Sequence, residues 1–184
     1  MTVPAEALVF DTGPMRHFAA EGWLGVLKFL ARDRPVVIPD AVERELRSAP
    51  GTVFDGLDLS SHTWIKVFRS TDLDFLSAVA SFEDRLVADR KNVGECAVLA
   101  LGQQFGCELV IDDAVARSVA QEHGLRLTAT VPLLCQGIRS KLLTLAMVES
   151  LVDDLLQGEY FLPFGRGGFR QHALETGLLE YEEI

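Results

Sequence analysis

The sequence predicts an α/β domain, with a mostly parallel sheet and helices packed on both of its faces. Three observations carry this. Short apolar runs bounded by turn residues, such as Ala7-Leu8-Val9-Phe10 and Leu109-Val110-Ile111, have the length and composition of strands buried on both sides. Stretches with apolar residues at helical spacing separate them, so strands and helices alternate as in βαβ units. Two of the runs also end in carboxylates, Asp11 and the pair Asp112-Asp113. In open α/β sheets the ligand crevice lies beyond the carboxyl ends of the strands, so these acids suggest a shared acidic site.

The first strand ends at Phe10, and Thr12-Gly13-Pro14 is a turn that opens a helix. Met15 to Ala31 alternates at helical spacing, interrupted by Gly22. Val36-Val37-Ile38 is the second strand, and Pro39-Asp40 begins a helix through Arg47 that Pro50-Gly51 breaks. The stretch to Ser61 is loop or a short helical turn, and Trp64-Ile65-Lys66-Val67 is the third strand. Ser70 or Thr71 can cap the next helix, which has Asp72 and Asp74 in its first turn and runs to Ala88. Asn92-Val93-Gly94 breaks the chain before a helix from Glu95 to Gln104. Strands at Leu109 to Ile111 and Leu125 to Thr128 flank a helix from Ala114 to His123, and helices near Val131 to Arg139 and Thr144 to Leu156 follow. Residues 1–157 thus make one domain and residues 158–184 an extension. In that extension, Phe164-Gly165-Arg166-Gly167-Gly168-Phe169-Arg170 is expected to be a mobile C-terminal turn in preference to an RNA contact.

With 184 residues, 48% of them hydrophobic, the chain has enough apolar material for a real core. No apolar run reaches the roughly 18 residues that span a bilayer. The N-terminus has no basic-then-apolar signal pattern, so a cytoplasmic protein without membrane partners is expected. Cys96, Cys107 and Cys135 form no CxxC or Cys/His metal spacing, and Cys96 and Cys135 sit in apolar helical stretches as core residues. The net charge of -10 argues against broad, non-specific binding to nucleic acid, although Glu175, Glu180, Glu182 and Glu183 in the tail contribute part of it. Arg85, Arg90, Lys91, Arg117, Arg126, Arg139 and Lys141 are available for a local positive rim. His17, His62, His123 and His172 show no metal-binding spacing and are expected at the surface or its boundary.

Taken singly, each acid has an ordinary explanation. In the helix after Pro39, Val42, Leu46 and Ala49 centre the apolar face. Glu45 lies about 60° from Val42 on its flank, and Glu43 turns about 100° away toward solvent. A flank glutamate can pack its methylenes and leave its carboxylate in water. Glu95 is the one acid of an otherwise apolar helix, at the end where the macrodipole favours negative charge by roughly 0.3–1 kcal/mol. Capping explains one of Asp112 and Asp113, but not both, and not Asp11. Together they say more. If Asp11, Glu45, Glu95 and Asp113 converge, their repulsion needs a cation, and a site made only of carboxylates suits a hard ion, Mg²⁺ or Mn²⁺.

Four segments resemble, in order and approximate spacing, the successive motifs of PIN-domain proteins. They are Val9-Phe10-Asp11-Thr12-Gly13-Pro14, Ile38-Pro39-Asp40-Ala41-Val42-Glu43-Arg44-Glu45-Leu46, Gly94-Glu95-Cys96-Ala97-Val98-Leu99-Ala100-Leu101 and Val110-Ile111-Asp112-Asp113-Ala114-Val115-Ala116-Arg117. More narrowly they are similar to the VapC-like branch of DUF3368 type, over residues 6–157. The resemblance implies a three-layer α/β/α fold with a parallel sheet of about five strands and an acidic pocket at one edge. It also implies metal-site acids Asp11, Glu95 and Asp113, with Glu45 as a further catalytic acid, Asp112 as an auxiliary and Thr12 in support. Two departures stand out: Gly13-Pro14-Met15 replaces the usual Ser-Pro-Leu, and Ala129-Thr130 replaces a Gly-Thr step.

What the resemblance implies chemically is divalent-metal-dependent hydrolysis of single-stranded RNA, leaving a 5′-phosphate and a 3′-hydroxyl. Arg16, Arg44 and Arg117 are candidates for substrate grip, which would weaken with salt. The toxin of a toxin–antitoxin pair, with an antitoxin partner and a homodimeric state, is the expected setting. A non-toxin RNA-processing nuclease and a catalytically silent PIN-fold module that binds RNA or protein are the alternatives. A generic nucleotide binder is disfavoured, since no GxGxxG or Walker loop follows the first strand.

Overall fold

The apolar runs become a sheet whose order decides where the acids go. A computed structural model of the chain describes residues 2–47, 58–86 and 93–183. Five strands, β1 (Leu8–Phe10), β2 (Val36–Pro39), β3 (Ile65–Phe68), β4 (Glu108–Val110) and β5 (Leu127–Thr128), form an all-parallel sheet in the order β3-β2-β1-β4-β5. The three residues of β1 and the four of β2 are all buried, as continuous apolar runs in a two-sided sheet require. After β1 the chain steps to one side through β2 and β3, then crosses to the other side for β4 and β5. The switch point therefore lies between β1 and β4. Their register pairs Phe10 with Val110, which brings Asp11 level with Ile111 and just short of Asp112-Asp113.

The chain forms two compact units, Met1–Arg16 with Asp33–Ala129, and His17–Arg32 with Thr130–Ile184. The first holds the whole sheet. In it are α3 (Asp40–Arg47), α4 (Leu73–Leu86), α5 (Val93–Phe105) and α6 (Ala114–Glu122), and α1 (Thr12–Ala20) begins there. The apolar α5 is buried from Cys96 to Gly102, packing on β1, β2 and β4 and against α3, α4 and α6. Its Gly102 faces Leu109 so closely that an added Cβ would lie 2.8 Å from a Leu109 methyl carbon.

Three expectations for this unit are corrected. The cap of α4 is Asp72, whose Oδ1 accepts from the amides of Asp74 (2.8 Å) and Phe75 (3.4 Å); Ser70 instead accepts from the Asp72 amide. Val93 and Gly94 do not break the chain but form the first turn of α5. Glu43 does not face solvent. It is buried, bonded to Arg47 at 3.0 Å and to Arg69, because the end of β3 covers the helix flank that a simple helical wheel leaves open. Pro50-Gly51, Ala88, Arg90, Lys91 and Asn92 lie outside the described residues.

The second unit is helical, with α2 (Leu24–Ala31), α7 (Thr130–Arg139), α8 (Leu145–Gln157) and α9 (Phe169–Glu175). The helical stretch from Met15 to Ala31 divides at Gly22, whose φ of +77° only glycine adopts at little cost. The C-terminal segment is not the loose turn its glycines suggested. Phe169 is fully buried, Phe164 packs on Phe169 and His172 with ring centroids 5.9 and 5.0 Å apart, and the Gly167 amide donates to Asp153 at 2.8 Å. Cys96, Cys107 and Cys135 are free and buried, and burial pushes their thiols up to about 12, 11 and 11, so all three act as small core residues. Among the described residues no helix is long and apolar enough to cross a membrane.

Candidate metal centre

Asp11 leaves the carboxyl end of β1 at the switch point, its amide donating to the Val110 carbonyl of β4 at 3.1 Å. Only 4% of the residue is exposed, and its Oδ1 is buried without a hydrogen-bond partner. A buried acceptor left bare is costly, about 1–3 kcal/mol and more for a charged group. Burial raises the Asp11 pKa well above the ordinary carboxylate range, and the charges of Glu95 and Glu45 add to the rise. The amides of Thr12 and Gly13, at the start of α1, oppose it.

Glu45 reaches the same place from α3. Its Oε1 accepts from the Gly94 amide at 2.9 Å, and its Oε2 from the Thr12 hydroxyl. Glu95 follows in the first turn of α5. Burial raises its pKa too; its own backbone amide lowers it, and Glu45 and Asp113 raise it further. Asp113 caps α6, with Oδ1 accepting from the amides of Val115 (2.9 Å) and Ala116 (2.8 Å), while the residue stays exposed. Asp112 is half-buried beside it. The four acids thus act on one another through their charges, Asp11 with Glu95 and Glu45, and Glu95 with Glu45 and Asp113. A model of the DUF3368 family, described as a PIN domain, matches residues 7–165, a span that contains all four.

The chain belongs to the PIN-domain DUF3368 family. A comparison with curated proteins finds no match. Five parallel strands in the order 3-2-1-4-5 agree with a PIN fold. Among the described residues no three His, Cys, Asp or Glu side chains already sit at chelating distances. The chemistry of the donors nonetheless fits a hard divalent cation of the kind PIN domains typically bind. One Asp11 oxygen is bare, the charged groups that act on it are carboxylates, and interacting like charges stay ionised cheaply only beside a cation. Asp11, Glu95 and Asp113 would hold it.

The arginines of this PIN domain divide. Arg16, one turn into α1, donates Nη2 to the Glu45 carbonyl at 3.0 Å and keeps a buried Nε with no partner. Arg117, one turn past Asp113 on α6, also has a buried, unpartnered Nε. Arg44 is different, an exposed side chain bonded to Asp40 of its own helix. Arg85 is held by His123 and Glu122, and Arg126 by the carbonyls of Ala5 and Gly106. The residue missed in the sequence is Gly94, which appeared there as a breaker. Its signal was a glycine placed directly before the one acid of an apolar helix.

Proposed function

We propose that this PIN domain is a metal-dependent endoribonuclease that hydrolyses single-stranded RNA. The observation that supports it best is the buried Asp11 carboxylate, with one bare oxygen and two like-charged neighbours. Bound at Asp11, Glu95 and Asp113, Mg²⁺ or Mn²⁺ would neutralise charge on a phosphate oxygen and make water a better nucleophile. Burial disfavours the charged forms of Asp11 and Glu95 when they stand alone, so a cation beside them would be stabilised by, and would stabilise, their ionised carboxylates. Thr12 and Glu45 keep the beginnings of α1 and α5 in place around it. Arg16 and Arg117, one turn along the helices that start at Thr12 and Ala114, each keep an unpartnered Nε and would supply the grip on the RNA backbone. Arg44 contributes less to this grip, since Asp40 already engages it.

The test is incubation of the purified chain with a single-stranded RNA and Mn²⁺, with and without EDTA. Cleavage to 5′-phosphate ends that EDTA stops, and that Asp11→Asn removes, supports the reading; no cleavage at any Mn²⁺ concentration contradicts it. A toxin role, with an antitoxin as partner and a homodimeric state, is the finer form of the same proposal. Growth arrest on expression, relieved by the product of an adjacent small gene, tests the first part, and sedimentation of the purified chain tests the second. One observation favours the alternative, a silent module that binds RNA without cutting it. Both Glu45 oxygens and one Asp113 oxygen are already engaged by the protein itself. Mn²⁺-independent RNA binding with no cleavage would favour that reading.

A further inference from the structure

We infer that Glu45 is a positioning residue seated by Gly94, tying together the two helix starts that carry Asp11 and Glu95. This rests on the nuclease reading for its consequence, although the contact itself does not. The residues that Glu45 grips are not arbitrary. Thr12 immediately follows Asp11, and Gly94 immediately precedes Glu95. One carboxylate from α3 therefore bridges the first turn of α1 and the first turn of α5. The Thr12 hydroxyl has a single hydrogen, and Glu45 takes it, so Thr12 can only accept from any further group.

The seat exists because residue 94 has no side chain. A Cβ there would lie 2.7 Å from Glu45 Oε2 and 3.0 Å from its Oε1 and Cδ. Those atoms are the far end of a flexible side chain, so an alanine would displace the carboxylate while leaving the backbone alone. Gly94 lies within α5, where alanine is the better helix former. Substitution there thus separates two effects that usually go together. The helix itself is favoured, and the seat of Glu45 is lost.

The experiment compares Gly94→Ala, Thr12→Val, Thr12→Ser, Glu45→Gln and Asp11→Asn with the unaltered chain, using Mn²⁺ alone and then a single-stranded RNA. Gly94→Ala should stay folded and still bind Mn²⁺, while kcat falls roughly 10–100-fold at unchanged KM, as loss of a supporting hydrogen-bond partner does. Thr12→Val should lose as much, and Thr12→Ser should recover most of it. Full turnover in Gly94→Ala would overturn the inference. So would loss of Mn²⁺ binding in Glu45→Gln as complete as in Asp11→Asn, since Glu45 would then be a ligand. One readout needs no activity at all. The amide proton resonance of Gly94 should move upfield in Glu45→Ala; if it stays in place, the contact is absent. A chain that cuts no RNA but shows this shift would sink the nuclease reading and leave the positioning contact standing.

Discussion

Glu45 and Gly94 lie 49 positions apart in the sequence, yet the Glu45 carboxylate accepts the Gly94 amide at 2.9 Å and occupies the space where a side chain would be. The contact joins α3 to the first turn of α5, next to Glu95, whose charge acts on Asp11. Around it the first unit assembles four carboxylates from four different elements, none of which has a reason of its own to be near the others.

Asp113 has two jobs that a pair of substitutions can separate. Its Oδ1 caps α6, and its charge acts on Glu95. Asn is as good a cap as Asp, whereas Ala costs about 1 kcal/mol at such a position. Asp113→Asn should therefore melt close to the unaltered chain and lose Mn²⁺-dependent cleavage. Asp113→Ala should lose both cleavage and about 1 kcal/mol of stability. Equal destabilisation by the two, measured by urea unfolding, would mean that the cap is not what holds α6.

Asp11 should make the metal-free chain less stable as pH rises. Its pKa is higher folded than unfolded, so between the two values the folded state keeps a proton that the unfolded state has released. Stability from this source is complete below the ordinary carboxylate range and is lost as pH rises through the raised value. Glu95 adds to the trend in the same direction. In EDTA, Asp11→Asn should melt above the unaltered chain at neutral pH, with a gap that narrows as pH falls toward the ordinary carboxylate range. A gap that is constant or reversed across the titration would show that burial of this charge does not destabilise the fold.

Glu43 should behave in the opposite way to Glu45, although both lie on α3. It is buried between Arg47 and Arg69, and those arginines are themselves mostly exposed. Their exposure screens the pair, so Glu43→Gln should cost about 1–2 kcal/mol rather than the larger penalty of a fully buried pair. Mn²⁺ affinity should not change. A Mn²⁺ defect in Glu43→Gln with normal stability would place Glu43 in the metal centre.

Much of this was legible in the sequence, for a physical reason. Strands of a parallel sheet are buried on both faces, so β1 and β2 appear as unbroken apolar runs, and an acid that ends such a run, as Asp11 does, stands out. The four acids could be named because each sits at the start of an element or on its flank. What could not be read depended on partners distant in the chain. Gly94 resembles a helix breaker until Glu45 is seen filling its missing side chain. Glu43 points to solvent on a helical wheel, which has no way to include Arg69 at the end of β3. Phe164 and Phe169 are separated by glycines that suggest looseness, and only the packing of Phe164 on Phe169 and His172 shows a folded segment.

The most direct measurement is a Mn²⁺ titration of the melting temperature, run in parallel on the unaltered chain and on Asp11→Asn. A site for which folded protein alone has affinity gains about 2.7 kcal/mol when the ion is at about 100 times its Kd. For a chain of this size that is a rise of roughly 5–10 °C. If Asp11, Glu95 and Asp113 hold one divalent ion, the unaltered chain rises by this much and Asp11→Asn does not rise. No rise in the unaltered chain, or the same rise in both, would contradict a metal centre at Asp11.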